Sequence, residues 1–287
     1  MDPRSAMRRQ LGVWSAGDLE AVGMRHRSIA ELMRAGTLYR AGHGWYATSS
    51  TPAAVTTALR RGARLTCVSA AAVHGLWTPP FGEVHVAQRR GGGRRCHSVV
   101  HEHRPVVRAW PDDEPVLPLD TALVHAGTCL PGESVAVLLE SALERGVLDR
   151  AAVVDILDRI PVRVRRQLTG LRVDAGSGSE TRVRRYLKRR GVRVRAQVQI
   201  RDVGRVDLLV GDRLIIECDS REFHDSADAY ETDRERDVRA IAAGYAVVRL
   251  TWYKIWVDWQ RTCETLDSLV RSGLHRARGG RLRLASG

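Results

Sequence analysis

The sequence lacks long apolar runs, and its few cysteines are not paired in any motif. No stretch approaches the roughly eighteen apolar residues that a membrane helix needs, and the first residues, MDPRSAMRRQLG, contain no apolar core typical of a signal peptide. The cysteines number five and none forms a CxxC pair, which argues against a disulfide framework or a zinc knuckle. We therefore expect a cytoplasmic protein without a membrane segment, whose cysteines have structural or incidental roles.

Several catalytic motifs are also missing. The sequence contains no GxxxxGK[ST] loop for nucleotide phosphates, no GxSxG elbow for a nucleophilic serine and no HExxH helix for zinc. These absences argue against a P-loop nucleoside triphosphatase, an α/β-hydrolase and a zincin-type metalloprotease.

Lysine is nearly absent, because only Lys188 and Lys254 are lysines among the 46 basic residues. The formal net charge is nevertheless +13, which predicts a polyanionic partner, since basic surfaces release counterions when they bind nucleic acid. An arginine excess is also typical of genomes rich in G and C. The charge alone therefore does not identify a nucleic-acid-binding face.

The pattern along the chain predicts a mixed α/β protein of three domains. Residues 1–50 indicate a winged helix, residues 51–173 a small central α+β domain, and residues 174–287 a compact α/β core. The run DAGSGS at 174–179 is the best candidate for a linker. The last segment has the order helix, three strands, helix, strand, helix.

The first fifty residues predict two helices followed by a hairpin. Ser15 and Asp18 have the spacing of a capping box at the start of the first helix, and a second helix is expected from about Met24 to Ala35. The segment TLYRAGHGWYATS then alternates around a Gly-His-Gly turn, as a two-stranded wing would. This order is typical of a winged helix, which serves either as a DNA-binding or as a protein-docking module.

Three arginines are the candidate DNA contacts of this module. Arg25 and Arg27 lie in the first turn of the second helix, which would enter the major groove, and Arg40 lies on the wing near phosphate or the minor groove. We expect DNA as the partner.

Four histidines lie on or beside two predicted strands of the central segment: His85, His97, His101 and His103. They could form a metal cluster. No cysteine or carboxylate completes a recognisable zinc spacing, so partly exposed histidines on a sheet face are the favoured interpretation.

Three carboxylates occupy two neighbouring strands of the C-terminal segment. Asp207 lies in GRVDLLV, and Glu217 and Asp219 lie in DRLIIECDS, where alternation sends the latter two to one face. The apolar neighbours indicate buried strands, in which a carboxylate is costly unless it is paired. Mg²⁺ or Mn²⁺ would be a suitable partner, and it could support phosphodiester cleavage. Carboxylates at strand ends are also often only solvated.

Two parts of the sequence resemble known families. The runs GSGSETRVRRYLKRRG, GRVDLLVGDRLIIECDSREFH, DRERD and YAVVRLTW resemble the domains related to very-short-patch repair endonucleases, within the PD-(D/E)xK superfamily. The resemblance covers residues 177–272 and implies a restriction-endonuclease-like fold. Residues 8–49, with the later SAAAVHGLW, resemble the winged helix of AbiEi-type antitoxins, which implies sequence-directed DNA binding.

The resemblance also implies roles for particular residues. Asp207 and Glu217 would be metal ligands, Glu180 an auxiliary carboxylate, and His224 a general base or a phosphate contact. We expect Asp219 or His224 to align the attacking water. Asp219 stands where the superfamily usually has lysine, so Arg221, His224 or Lys254 would have to replace that lysine. Arg236 lies on the helix where the family has basic positions and is the fourth candidate nucleic-acid contact.

The sequence therefore predicts a DNA-binding, metal-dependent endonuclease. One alternative is a non-catalytic transcriptional regulator or antitoxin with a degenerate nuclease-like domain, which would have a toxin as protein partner. Another is an enzyme that acts on RNA, because the metal chemistry does not depend on the 2′-hydroxyl.

Overall fold

A computed structural model of the chain describes residues 3–88, 100–103, 114–219 and 227–276, without the side chains of 3–6 and 227–233. Contacts divide the described chain into two compact units. The first consists of described residues within 1–76, 81–130 and 151–165, and the second of those within 77–80, 131–150 and 166–287. Over the described residues, no helix combines the length and the apolar composition needed to cross a membrane.

The first unit begins with a small sheet and three helices. Its elements are α1 (Pro3–Gln10), β1 (Val13–Ser15), α2 (Ala16–Ala21), α3 (His26–Arg34), β2 (Tyr39–Gly42) and β3 (Trp45–Ala47). The predicted helices correspond to α2 and α3, and the predicted wing to β2 and β3. The strands form an antiparallel sheet in the order β1-β3-β2. The capping box is confirmed, because Ser15 Oγ accepts from the Asp18 N–H and Asp18 accepts from the Ser15 N–H.

The rest of this unit is built around a second three-stranded sheet. Its elements are α4 (Ala53–Arg60), β4 (Arg64–Leu65), α5 (Cys67–Val73), β5 (Val84–Ala87), β6 (Val100–His103), α6 (Leu119–Cys129), most of α8 (Arg150–Arg159) and α9 (Val162–Arg165). The strand order is β4-β5-β6, with β5 and β6 parallel.

One apolar core joins the two sheets of the first unit. Val13, Ala41 and Ala47 pack in the same cluster as Leu65 and Val86. The core beneath α2 and α3 is small, with Leu19, Ile29 and Leu38 as its buried members. A segment of fifty residues buries little apolar surface by itself, so residues 1–50 share a core with the following segment. The compact units thus do not follow the three predicted domains.

The second unit contains a four-stranded sheet between helices. Its elements are α7 (Gly132–Glu144), α10 (Gly178–Arg189), β7 (Val194–Ile200), β8 (Gly204–Val210), β9 (Leu214–Asp219), α11 (Ala227–Ala242), β10 (Ala246–Thr251), α12 (Trp252–Trp256) and α13 (Trp259–Arg271). The order is β10-β9-β8-β7, with β7, β8 and β9 antiparallel and β10 parallel to β9. The mixed α/β class is confirmed.

Alternate residues of β8 and β9 face opposite layers of this unit. Leu208 and Ile216 pack in one cluster with Leu187 of α10, whereas Leu209 and Ile215 pack in another with Ala240 of α11. β9 is therefore covered on both faces, which explains its almost continuous apolar sequence.

A buried ion pair attaches α7 to this unit. The Glu140 carboxylate, which has no exposed surface, pairs with Arg184 of α10, and Thr181 Oγ1 donates to Glu140 Oε2 at 2.7 Å. The sequence assigned residues 132–144 to the central domain, but α7 packs on α10. A helix whose burial depends on a distant charge partner cannot be assigned from its own periodicity.

Candidate active site

Asp207 and Glu217 occupy the place where β8 and β9 stop pairing. The last registered pair of the two strands is Leu208 with Ile216. Beyond it, the Asp207 N–H donates to Glu217 Oε2 at 3.2 Å, and the Cys218 N–H donates to Asp207 Oδ2 at 2.8 Å. Each carboxylate thus accepts a backbone hydrogen bond from the opposite strand, which fixes both side chains relative to the sheet.

Glu180 joins this site from the first turn of α10. The N-cap is Ser177, whose Oγ accepts from the Glu180 N–H at 3.2 Å. Glu180 is only 5% exposed, and Gln197 Nε2 donates to its Oε2 at 2.6 Å. Gln197 has a φ of +53°, an uncommon conformation for a residue with a side chain. Positions held this way are enriched at functional sites.

Glu180 and Asp207 line one open cavity of about 440 Å³. The other residues that line it are Glu144, Asp174, Gly176, Gln197 and Arg205. Among the described residues that line this cavity, four are carboxylates and Arg205 is the one cation. A cavity with this charge attracts cations.

Two carboxyl groups of the site, those of Glu180 and Glu217, have raised pKa values. Burial, and then the negative charge of Asp207, raises the pKa of Glu180 to about 8. The same two causes raise the pKa of Glu217 to about 7, although the positive charge of Arg236 opposes this shift. Like charges held together in a partly dry site disfavour full ionisation. A divalent cation would reverse this effect, and carboxylate oxygens are the ligands that Mg²⁺ and Mn²⁺ prefer.

Arg236 brings a positive charge to Glu217 from α11. Its Nη2 donates to Glu217 Oε1 at 2.6 Å and also to the backbone carbonyl oxygen of Arg205. The sequence predicted Arg236 as a nucleic-acid contact. In the structure, its guanidinium lies against Glu217, a predicted metal ligand, and the nucleic-acid contact stays a prediction.

Asp219 has a different environment from the other two strand carboxylates. Its Oδ1 lies 3.6 Å from Arg249 Nη1, and Arg249 also binds Asp237 of α11 through two hydrogen bonds of 3.1 and 3.0 Å. The structure thus places Asp219 in an ion-pair network with β10 and α11.

His224 lies outside the described residues, as does Arg221, which could have replaced the usual lysine. Lys254, another candidate for that role, is exposed on α12. Gln197 was not predicted as a site residue, because nothing in an alternating strand distinguishes a glutamine that faces a cavity from one that faces solvent. No sequence pattern indicated the contact of Arg236 with Glu217 either, because the two residues lie on separate elements.

The predicted DNA contacts are on the surface of the first unit. Arg25, the N-cap residue of α3, Arg27 in its first turn and Arg40 on β2 are all exposed. The Arg27 side chain is 92% exposed and forms an ion pair with Glu31 at 3.5 Å. The α3 surface thus presents cations that could reach a polyanion.

The match to a known family falls on the second unit. The model of the family REase_MTES_1575, a restriction-endonuclease-like domain, matches residues 180–270, a range that begins at Glu180 and contains Asp207 and Glu217. No curated protein matches the chain. The family match supports a nuclease-like function for the C-terminal domain, as the sequence resemblance implied. It does not reach the AbiEi-like segment, so that resemblance stays a prediction.

Proposed function

We propose that the C-terminal domain hydrolyses phosphodiester bonds of DNA with Mg²⁺ or Mn²⁺. The observation that carries this proposal is the reciprocal bonding of Asp207 and Glu217 to each other's strand. It holds two carboxylates at one sheet position, with Glu180 in the adjoining cavity. Crowded carboxylates with raised pKa values are typical of functional sites, and this group lies within the restriction-endonuclease-like match.

Asp207 and Glu217 would hold the divalent cation. Both offer oxygen donors, and their mutual repulsion raises the free energy of the site until a cation neutralises it. The bound metal would supply an activated water and stabilise the charge that develops on the phosphate. Glu180 would act as the auxiliary carboxylate, held in place by Gln197 and by the cap of α10.

Arg236 would provide the positive charge that lysine supplies in related nucleases. Asp219 stands in the lysine position, so a cation must reach the site from another element. The Arg236 guanidinium already binds Glu217 Oε1 and opposes the rise in the pKa of that carboxyl. We assign to Arg236 the role of keeping Glu217 ionised. Asp219 or His224 would align the attacking water.

The N-terminal helices and wing would bind DNA. Arg25 and Arg27 on α3 would contact the major groove, and Arg40 on the wing would contact phosphate or the minor groove. The net charge of +13 supports a polyanionic partner. Structured RNA is the alternative substrate.

Metal-dependent cleavage tests this function. Wild-type protein should cut supercoiled or linear DNA with Mg²⁺ or Mn²⁺ and not with EDTA, whereas Asp207→Asn and Glu217→Gln should lose at least about 100-fold in rate. Asp202→Asn is the matched control, because Asp202 is an exposed carboxylate paired with Arg201. Cleavage that survives both site substitutions would refute the assignment. A parallel series with structured RNA distinguishes the two substrates.

A non-catalytic regulator is the second candidate, because the structure pairs Glu217 with Arg236 and Asp219 with Arg249. Carboxylates neutralised by arginine can serve stability alone. Sequence-specific DNA binding without cleavage in Mg²⁺ or Mn²⁺ would favour this candidate. In that case a toxin protein would be the partner to seek.

A further inference from the structure

Two cysteines and two histidines converge in the first unit, whereas the carboxylate site belongs to the second unit. Cys67 is the first residue of α5, His85 lies in β5, His103 ends β6, and Cys129 is the last residue of α6. One side-chain ligand atom of each residue lies within 4.8 Å of the ligand atoms of the other three. Four separate elements therefore bring their side chains to one point.

The distances within this cluster suit a shared metal ion. His85 Nδ1 lies 3.1 Å from His103 Nε2, and Cys129 Sγ lies 3.8 Å from His85 Nδ1. Tetrahedral zinc with sulfur and nitrogen ligands separates neighbouring ligand atoms by about 3.3–3.8 Å, given its usual bond lengths. Small adjustments would bring all four atoms into that range.

Burial and backbone conformation also distinguish the cluster. Cys67 has no exposed surface, and His85 and His103 are 6% and 8% exposed. The interpretation of these two histidines as partly exposed on a sheet face is therefore wrong, although His101 fits it with a side chain that is 43% exposed. His97 lies outside the described residues. Cys67 has a φ of +53°, a strained conformation for a residue with a side chain, which persists only where the surrounding structure fixes it.

The chemistry of the donors indicates which metal would bind. Two thiol sulfurs and two imidazole nitrogens form a Cys₂His₂ set with no carboxylate among them. This set favours zinc over Mg²⁺ or Mn²⁺, which prefer oxygen ligands. Four protein ligands fill a tetrahedral shell and exclude a reactive water, so the site would be structural and not catalytic.

His101 lies beside the cluster, where it can hydrogen-bond to one of the proposed ligands. Its Nε2 is 3.5 Å from Cys129 Sγ, and its Nδ1 is 3.6 Å from a carboxylate oxygen of Glu83. Groups that hydrogen-bond to ligating sulfur orient it and tune its affinity for metal.

We propose that Cys67, His85, His103 and Cys129 bind one Zn²⁺ that fastens α5 and α6 to the parallel strands β5 and β6. The strands of this sheet are short and bury little apolar area. A metal ion that links four elements would add stability that the buried apolar area alone does not provide. This site is independent of the proposed nuclease function.

The experiment measures metal in the full chain. Protein expressed in zinc-supplemented medium and purified without chelators should contain about one zinc per chain by elemental analysis. A thiol-modifying reagent should release that zinc to a colorimetric indicator. Replacement by Co²⁺ should produce the visible bands of tetrahedral cobalt, together with thiolate-to-cobalt charge transfer.

Two serine variants provide the matched comparison. Cys129→Ser should lose most of the zinc and have a lower unfolding temperature. Cys263→Ser removes a partly buried cysteine of the second unit, and it should retain the zinc and the unfolding temperature of the wild-type protein. Asp207→Asn should also retain the zinc, which separates this site from the nuclease site. If Cys129→Ser does not fold, the wild-type zinc content and cobalt spectrum decide the question.

Wild-type protein without stoichiometric zinc and without a tetrahedral cobalt spectrum would overturn the proposal. A disulfide between Cys67 and Cys129, found by peptide mapping of protein purified under reducing conditions, would overturn it as well.

Discussion

The backbone N–H of Asp207 donates a hydrogen bond to Glu217 Oε2 at 3.2 Å, at the point where the two strands cease to pair. The Cys218 N–H returns a bond of 2.8 Å to Asp207 Oδ2. The two carboxylates thus have a structural role in addition to the proposed metal-binding role, and substitutions can separate these roles.

Asp207→Asn and Asp207→Ala both remove the charge, but only asparagine retains an oxygen that can accept from the Cys218 N–H. We expect the alanine variant to be about 1–3 kcal/mol less stable than the asparagine variant, because it leaves a buried donor without a partner. Denaturant unfolding of the two variants measures this difference. Equal stabilities would show that the Cys218 bond contributes nothing.

Glu180 should make the stability of the metal-free protein fall as pH rises. Its pKa is about 8 in the folded protein against an ordinary value of 4.5, so the folded state keeps a proton that the unfolded state has already lost. Between these two pH values the protein should lose up to about 1.4 kcal/mol per pH unit from this group. Glu217, raised to about 7, acts in the same direction.

The measurement compares unfolding of wild-type protein and Glu180→Gln in EDTA from pH 5 to pH 8.5. Glutamine retains an acceptor for Gln197 and carries no charge, so its stability should depend less steeply on pH. Added Mg²⁺ should stabilise wild-type protein more than the variant at pH 8. Identical slopes for both proteins would contradict the raised pKa of Glu180.

Arg236→Gln should shift the pH dependence of cleavage. Without the guanidinium, the pKa of Glu217 should rise further, because the charge of Arg236 is the largest influence that opposes its elevation. We expect the acidic limb of the rate profile to move up by about 1 pH unit, with partial restoration in Arg236→Lys. Arg239→Gln is the control, since Arg239 is exposed on the same helix. A uniform loss of rate without a shift would argue for a purely structural role.

Arg27→Ala should weaken binding at one base position of a DNA site. The expected loss is about 1–3 kcal/mol if Arg27 contacts a base edge, and the salt dependence should change little. Arg159→Ala is the control, because Arg159 forms an exposed ion pair with Asp120 in the same unit. Competition binding over a set of single-base variants of the site measures the effect. An unchanged base preference would remove Arg27 from the recognition surface.

Glu140→Ala should destabilise the second unit by about 3–5 kcal/mol, because it leaves the buried Arg184 charge without its partner. Replacing both residues with leucine should restore much of the loss. Glu264→Ala, an exposed substitution on α13, should have almost no effect. A small loss in Glu140→Ala would mean that α7 is not attached through this pair.

The sequence predicted the elements of the second unit well, because their signals are local. The apolar runs in GRVDLLV and DRLIIECDS match β8 and β9, and Asp207 and Glu217 lie on the strands where the pattern placed them. The residues next to Asp207 and Glu217 in the sequence determine these strand positions through backbone geometry. The same local patterns missed α6, whose sequence lacks a clear apolar periodicity, because the helix is buried over most of its surface.

Relations between distant segments could not be obtained in this way. Cys67 and Cys129 meet two histidines only because two helix ends and two strands converge, and no spacing motif marks such a set. The pairing of Arg236 with Glu217, and of Glu140 with Arg184, depends on how helices pack against the sheet and against each other.

The sequence by itself determined the mixed α/β class, the strand positions of Asp207 and Glu217, and the capping box at Ser15, because these depend on residues within a few positions of one another. Only the tertiary structure decided that Glu217 meets Arg236, that α7 belongs with the C-terminal core, and that two cysteines join His85 and His103. Burial changes the energy of charged and metal-binding groups, and burial results from contacts between segments that are far apart in the chain.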